Sequence, residues 1–155
     1  MPMGPTSIDQ LPRRLTQWPT WVLGRLHHDG KKAIGVGLAE LDMDLPHYAV
    51  LACIAEFEPL SQQQVCERLA MDRADMVGFV DHLERDLGAV VRTRDEADRR
   101  RYILTTTPEG RELLARADER AGQASAAYLS VLTPDEIRTM TSLALRVLGA
   151  HTAQP

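Results

Sequence analysis

Ser61-Gln-Gln-Gln-Val-Cys-Glu-Arg-Leu-Ala-Met-Asp-Arg-Ala-Asp-Met-Val-Gly-Phe-Val-Asp-His-Leu-Glu84 is the stretch whose reading decides the fold. Ser61 and Gln64 stand at capping-box spacing: the serine hydroxyl can accept from the third helical amide while the glutamine reaches back. A short helix follows through Val65 and Leu69. Asp72 supplies a fresh cap, with Asp75 in the next first turn, where the helix dipole favours a carboxylate. That second helix carries Met76, Phe79, Val80, Leu83 and Leu87 on one face and is expected to end at Gly88. Two short helices, each newly capped and only a few residues apart, predict a helix-turn-helix.

The flanking sequence extends the pattern. Ala89-Val-Val-Arg-Thr93 and Tyr102-Ile-Leu-Thr-Thr-Thr107 enclose a charged run, which predicts a β-hairpin. Thr107-Pro108 restarts a helix with a threonine cap and a first-turn proline, carrying Leu113, Leu114, Ala117, Ala121, Ala124 and Leu129 towards Leu132. Thr133-Pro-Asp-Glu136 is another capping box, opening a last helix with Ile137, Met140, Leu143, Ala144 and Val147. Upstream, Pro46 opens a helix with Val50, Leu51 and Ile54 facing a core. From Ile8 to about His28 a helix carries Leu11, Leu15, Trp18, Val22 and Leu26, with Pro19 expected to kink or divide it. Asp29-Gly30 is expected to break the chain before a weak helix from Lys31 to Leu41, and residues 1–6 are tail-like.

Composition narrows the classes. The 155 residues are 44% hydrophobic, enough for a packed core, and only 5% aromatic, with Leu, Ala and Val dominating; this favours helix packing over a sandwich or barrel. No apolar run approaches the ~20 residues that cross a bilayer. The first ten residues lack the pattern of a signal peptide. Two cysteines, Cys53 and Cys66, make no disulfide framework, and a cytoplasmic location is expected.

A second helix projecting from a helix-turn-helix fits the DNA major groove, and an adjacent hairpin tip can reach the backbone or minor groove. The outward arc of that helix holds Ala74, Gly78, Asp81, His82 and Arg85, flanked by Arg73, Asp75 and Val77. The small residues allow close approach to base edges, Asp75 can accept from cytosine N4, Val77 can meet a thymine methyl, and Arg73 can take guanine or phosphate. Taken by itself, an ordinary amphipathic helix with a solvated face accounts for this segment. The hairpin shifts the balance: Arg92, Arg94, Arg99, Arg100 and Arg101 stand there against Asp95, Glu96 and Asp98. Arginine suits a narrow, electronegative minor groove, and Asp98 is expected to brace one guanidinium. The formal net charge of −4 opposes a nucleic-acid partner, yet a phosphate meets the local field.

In order and spacing, Leu45-Pro-His-Tyr-Ala-Val-Leu51, Leu60 to Leu69, Met71 to Glu84, Asp98-Arg-Arg100 and Thr107-Pro-Glu-Gly110 resemble the MarR (multiple antibiotic resistance regulator) family of bacterial repressors. The likeness spans roughly residues 8 to 149 and is most specific over 45 to 110. It implies a mainly α fold with a small β-hairpin wing: a winged helix-turn-helix at 45–107, with helical dimerisation arms at 1–44 and 108–155. It further implies a homodimer on a pseudo-palindromic double-stranded operator, acting as a repressor released by a small aromatic or phenolic ligand. Asp98 and Arg100 match the wing positions that brace the tip and reach the minor groove, with Arg94 and Arg99 beside them. Ser61 and Gln63 match positions touching phosphate; Arg73, Ala74, Asp75, Val77, Gly78 and His82 match the recognition helix. This chain departs from the family pattern at 74, 75, 77 and 78, where Ser, Thr and Thr-Arg are common, and at His82, where arginine is common. Its turn Arg85-Asp-Leu-Gly88 is one residue longer than usual, and Thr106 replaces a common leucine.

The arms are expected to enclose a ligand cleft near Trp18, Trp21, His47 and Tyr48, although the two tryptophans equally suit a dimer interface. Thiol-based control by Cys53 or Cys66 requires exposure and an activating partner, which neither shows. His27, His28, His47, His82 and His151 form no metal-ligand spacing, so no metal or cofactor is expected. No phosphate-binding glycine loop, nucleophile elbow or paired carboxylates in an apolar setting point to an enzyme. A winged helix serving as a protein-interaction module is the alternative reading, supported by the acidic balance.

Overall fold

In the computed structural model, residues 10–152 are described. The chain runs α1 (Arg13–Thr16), α2 (Pro19–Ala39), α3 (Leu45–Phe57), β1 (Leu60–Ser61), α4 (Gln62–Leu69) and α5 (Arg73–Asp81). A π-helical turn at His82–Asp86 leads into β2 (Val90–Arg94), β3 (Tyr102–Thr106), α6 (Pro108–Tyr128) and α7 (Pro134–Thr152). The architecture is mainly α, with a small antiparallel sheet ordered β1-β3-β2. Val90 pairs with Thr106 and Arg94 with Tyr102 across the hairpin, while Leu60 of β1 pairs with Leu104. The expected start at Ile8 and the tail at 1–6 lie outside the described residues.

The caps read from the sequence form. Ser61 Oγ accepts from the Gln64 amide at 3.2 Å, and Gln64 Oε1 accepts from the Ser61 amide at 2.8 Å. Asp72 Oδ1 takes the Ala74 amide at 2.9 Å, and Thr107 Oγ1 takes that of Gly110, also at 2.9 Å. Each satisfies a helix-end donor that would otherwise stay unpaired. The core sits where α3, α4, α5 and the sheet meet: Val50, Leu51, Ile54, Val65, Met76, Val80, Leu83, Val90 and Leu104 are buried. Removing such side chains from water contributes about 1.5–3 kcal/mol each. Gly110 closes this packing, because a Cβ there would overlap the Ala89 carbonyl.

Pro19 divides the N-terminal segment as expected: the short helix α1 ends before it and α2 opens on it. Two expectations are corrected. Asp29-Gly30 is no break, since α2 runs unbroken from Pro19 to Ala39. Arg25 Nε pairs with Asp29 Oδ2 at 2.9 Å one turn away, and Gly30 leaves room for the Tyr128 ring, which a Cβ would meet at 3.2 Å. The helix expected to reach Leu87 leaves α geometry at Asp81. The π turn His82–Asp86 follows, and Gly88 reverses the chain at φ 61°. One wider turn takes up an added residue while the side chains on either side keep their faces, so Leu83 stays in the core.

Outside the core, α2 lies along α6. Val36 is 76% exposed on α2, and Leu143, Leu145 and Val147 of α7 are 48–62% exposed. Among the described residues, no helix is long and apolar enough to cross a membrane.

Candidate nucleic-acid interface

α5 presents one open face. Arg73, Ala74, Asp75, Val77 and Gly78 are exposed, while Met76 and Val80 anchor the opposite side. With the Asp72 cap fixing its first turn, Asp75 lies among the first amides, where the dipole favours it. Ser61 is buried and its hydroxyl serves the α4 cap; Gln63 is exposed and donates to Glu67 Oε1 at 2.8 Å.

The hairpin tip is built from backbone and short side chains. Asp95 N donates to Arg101 O at 3.0 Å, and Arg101 N to Asp98 O at 2.9 Å. Asp98 Oδ1 accepts from the Arg100 amide at 3.0 Å, so its carboxylate shapes the turn through the backbone instead of bracing a guanidinium as expected. Bracing falls to Arg94, whose Nη1 donates to Arg99 O at 2.7 Å while its guanidinium lies over the Tyr102 ring. Arg99, Arg100 and Arg101 are exposed, and among the described residues none has an ion pair of the kind that holds Arg85, Arg92 and Arg111.

Arg92 differs from its neighbours. Its guanidinium reaches Glu84 Oε2 and Asp81 Oδ1, both at 2.5 Å, and its amide donates to Glu84 Oε1 at 2.9 Å. The Arg92 hydrogen bond holds the Asp81 carboxyl below its ordinary pKa. Sequence reading placed Asp81 on the outward arc and Arg92 in the wing's basic run; the fold makes them one clamp between the end of α5 and β2. A second clamp holds the sheet from behind. Glu58 accepts the Thr106 amide and the Arg111 guanidinium, each at 2.5 Å. Burial pushes the Glu58 carboxyl up, but those two partners outweigh it and lower its pKa. Neither clamp leaves a signal in spacing, because each joins residues from separate elements.

His82 points inward. Nδ1 is 2.7 Å from Asp86 Oδ2 and Nε2 is 2.7 Å from the Asp42 carbonyl, so both ring nitrogens are engaged within the protein. The four residues expected around a ligand are not brought together. Trp21 lines a cleft of about 380 Å³ with Leu11, Val22, Arg25 and Tyr128. Trp18 is 64% exposed, His47 borders a different cleft with His82, and Tyr48 donates its hydroxyl to Asp118 at 2.7 Å. Burial, then that carboxylate, pushes the Tyr48 phenol up to about 12. Cys53 and Cys66 are free and buried, and burial raises the Cys53 thiol. Among the described residues no His, Cys, Asp and Glu side chains converge in a group of three or more suited to a metal ion.

Comparison with known proteins bears on this arrangement. A family model described as MarR family matches residues 41–101. The putative transcriptional regulatory protein for the hcr operon of Thauera aromatica is 32% identical over 108 residues, covering 70% of this chain and 64% of that relative. This chain therefore spans less than two thirds of that relative's length. The structure of CouR bound to a 23-mer DNA duplex superposes with a TM-score of 0.81 at 25% identity, covering 90% of this chain and 99% of the other. CouR from Rhodococcus jostii RHA1 bound to p-coumaroyl-CoA superposes less closely, at 0.73 with 28% identity over 88% and 95% of the two chains. The matched segment, residues 41–101, carries the capped helix pair and the hairpin up to Arg101 and is similar to the MarR family, and the superposition extends the likeness in fold through the helices on either side.

Proposed function

We propose that the chain is a homodimeric, sequence-specific DNA-binding transcriptional repressor, its winged head at 45–107 and its dimerisation arms at 1–44 and 108–155. The observation that carries this reading is the pairing of an open α5 face with a hairpin tip whose Arg99, Arg100 and Arg101 have no carboxylate partner among the described residues. In the major groove, Arg73, Ala74, Asp75, Val77 and Gly78 would meet base edges; Arg94, Arg99 and Arg100 would face the minor groove, and Gln63 a phosphate. Ser61 and Asp98 serve through backbone geometry, the first by capping α4 and the second by shaping the tip. The apolar stripe of α7 and the exposed Val36 on α2 support burial against a second copy.

Release by a small aromatic ligand accompanies this reading. Its support is the Trp21 cleft, which has the size and apolar lining of a small-molecule site with Arg25 as a polar contact, together with the relatives solved with ligands. A gel shift across a salt series on fragments selected from a genomic pool tests DNA binding. Loss of affinity with salt is expected, and no retention at low salt would favour a protein partner. Arg100→Ala should weaken binding by about 1–3 kcal/mol and lower the salt slope by about one, with helical content unchanged by circular dichroism.

A further inference from the structure

His82 sits where the end of α5, the π turn and the loop between α2 and α3 converge. Its two ring nitrogens face oxygens that only accept: the Asp42 carbonyl at Nε2 and the Asp86 carboxylate at Nδ1, each at 2.7 Å. A neutral imidazole has one N–H and one lone pair, so it can satisfy one of these partners and not both; an imidazolium satisfies both. Asp42 presents its carbonyl from a left-handed backbone at φ 55°, an uncommon state for a residue other than glycine. One bond therefore stays within the turn, and the other crosses to the loop that ends the α2 arm.

Resting on the DNA-binding reading, we propose that His82 is a positioning residue: as a double donor it ties the end of the recognition helix to the arm and so sets how the head meets the duplex. The surroundings support a cation. The Asp42 carboxylate lies 3.7 Å from Nε2, and Asp44 sits beyond His47 on the same loop. The His47 ring stacks at a tilt, 4.6 Å between centroids; its Nδ1 lies 2.6 Å from Asp44 Oδ1 and 3.3 Å from the Asp44 amide in the α3 capping box, so it is turned to Asp44 and not to His82. The neighbouring cleft bordered by Asp42 and Asp86 carries Glu40, Glu109, Glu112 and Arg116, a predominantly acidic set. The Asp42 carbonyl first, then Asp86 and the Asp42 charge, outweigh desolvation and raise the His82 pKa above its ordinary value. For a raised histidine the contribution is whole below the unfolded pKa and is lost as pH rises through the folded one. The direction for DNA follows from the tether: without it the head is freer to move against the arm, and a duplex that fits one arrangement binds less tightly.

The test has two arms. Nitrogen-15 NMR of the free wild-type protein follows the His82 ring through a pH series. A midpoint above that of the same histidine in the urea-unfolded chain is expected, and one at or below it overturns the proposal without any variant. In the second arm, a duplex enriched on the wild-type chain from a random-sequence pool at pH 6 is titrated at pH 6 and pH 9 by fluorescence anisotropy. His82→Arg keeps a permanent cation with several donors and should hold its affinity, while the wild type weakens relative to it by about tenfold at pH 9, the scale of one charge-assisted hydrogen bond. His82→Gln should be weaker than His82→Arg at both values. A wild-type to His82→Arg ratio unchanged between the two pH values removes the positioning role and leaves DNA binding standing. Failure to enrich any duplex removes both.

Discussion

Glu84→Ala probes the clamp that joins α5 to the wing. The Glu84 side chain is 24% exposed and that of Arg92 18%, so the pair lies between a surface salt bridge and a buried one. An exposed pair contributes about 0–1 kcal/mol, whereas stranding one member of a buried pair costs about 3–5 kcal/mol. Glu84 also accepts the Arg92 amide at 2.9 Å, and a hydrogen bond to a charged group contributes about 1.5–3 kcal/mol. Water reaches a quarter of the carboxylate and Asp81 still faces the guanidinium, so the expected loss is about 2 kcal/mol. For a chain of this length that lowers Tm by about 4–8 °C. Urea and thermal unfolding at one fixed protomer concentration measure it, since the proposed dimer would make stability concentration-dependent. Glu84→Gln should retain part of the stability by keeping an acceptor for the amide. Affinity for an enriched duplex should fall with an unchanged salt slope, because no phosphate contact is removed. A loss under about 0.5 kcal/mol would place the clamp among ordinary surface pairs and refute the reasoning.

Three further outcomes are expected. Deleting residues 133–155 removes α7 with its exposed Leu143, Leu145 and Val147; light scattering should show monomer or aggregate, and a well-behaved dimer would exclude α7 from the interface. Glu58 has a depressed pKa, so its contribution is present above the unfolded value and is lost as pH falls through the folded one. Glu58→Gln should therefore flatten the acid limb of stability against pH, and an unchanged limb would refute the assignment. Asp75→Asn removes an exposed negative charge from the α5 face; binding to unrelated DNA should tighten while preference for the enriched duplex falls by about 1–3 kcal/mol, and equal changes for both duplexes would exclude base reading by Asp75.

What could be read from the sequence was local. A cap needs a side chain and an amide two or three residues away, so Ser61 with Gln64, Asp72, Thr107 and Thr133 with Glu136 all declare themselves in order along the chain. Strands β2 and β3 show as apolar runs around a charged tip. What escaped was decided by partners far off in sequence. Asp29-Gly30 carries a break signal, and the Tyr128 ring against Gly30 turns it into a packing site within a continuous helix. β1 is two residues long, too short to alternate, and exists through its pairing with β3. Trp21 and His47 were grouped as aromatic and polar residues near one junction, but α2 and α3 carry them to different clefts. The arginines of the hairpin look alike in sequence; Arg92 is separated from Arg99, Arg100 and Arg101 by which element faces it.

That separation also answers the objection from net charge. A paired ion behaves as a dipole whose field falls faster than that of a lone charge, and exposed charges are screened beyond roughly 8–10 Å. On the head and at its junction with α6, Arg92 faces Asp81 and Glu84, Arg85 faces Asp81, and Arg111 faces Glu58. Three carboxylates and three arginines cancel here, so these pairs add nothing to the total of −4 and do little at the hairpin tip. Several others, Glu40, Asp42, Asp86, Glu109 and Glu112, gather around one cleft between the end of the α2 arm, the π turn and α6. The tip carries Arg94, Arg99, Arg100 and Arg101 against Asp95, Glu96 and Asp98, four cations to three anions, with Asp95 and Asp98 turned to backbone amides of the turn, so a duplex at that face meets exposed arginines at contact range from a chain that is acidic as a whole. On the proposed reading, long-range attraction then adds little to the rate of encounter, and discrimination between duplexes would rest on how long the fitted complex lasts.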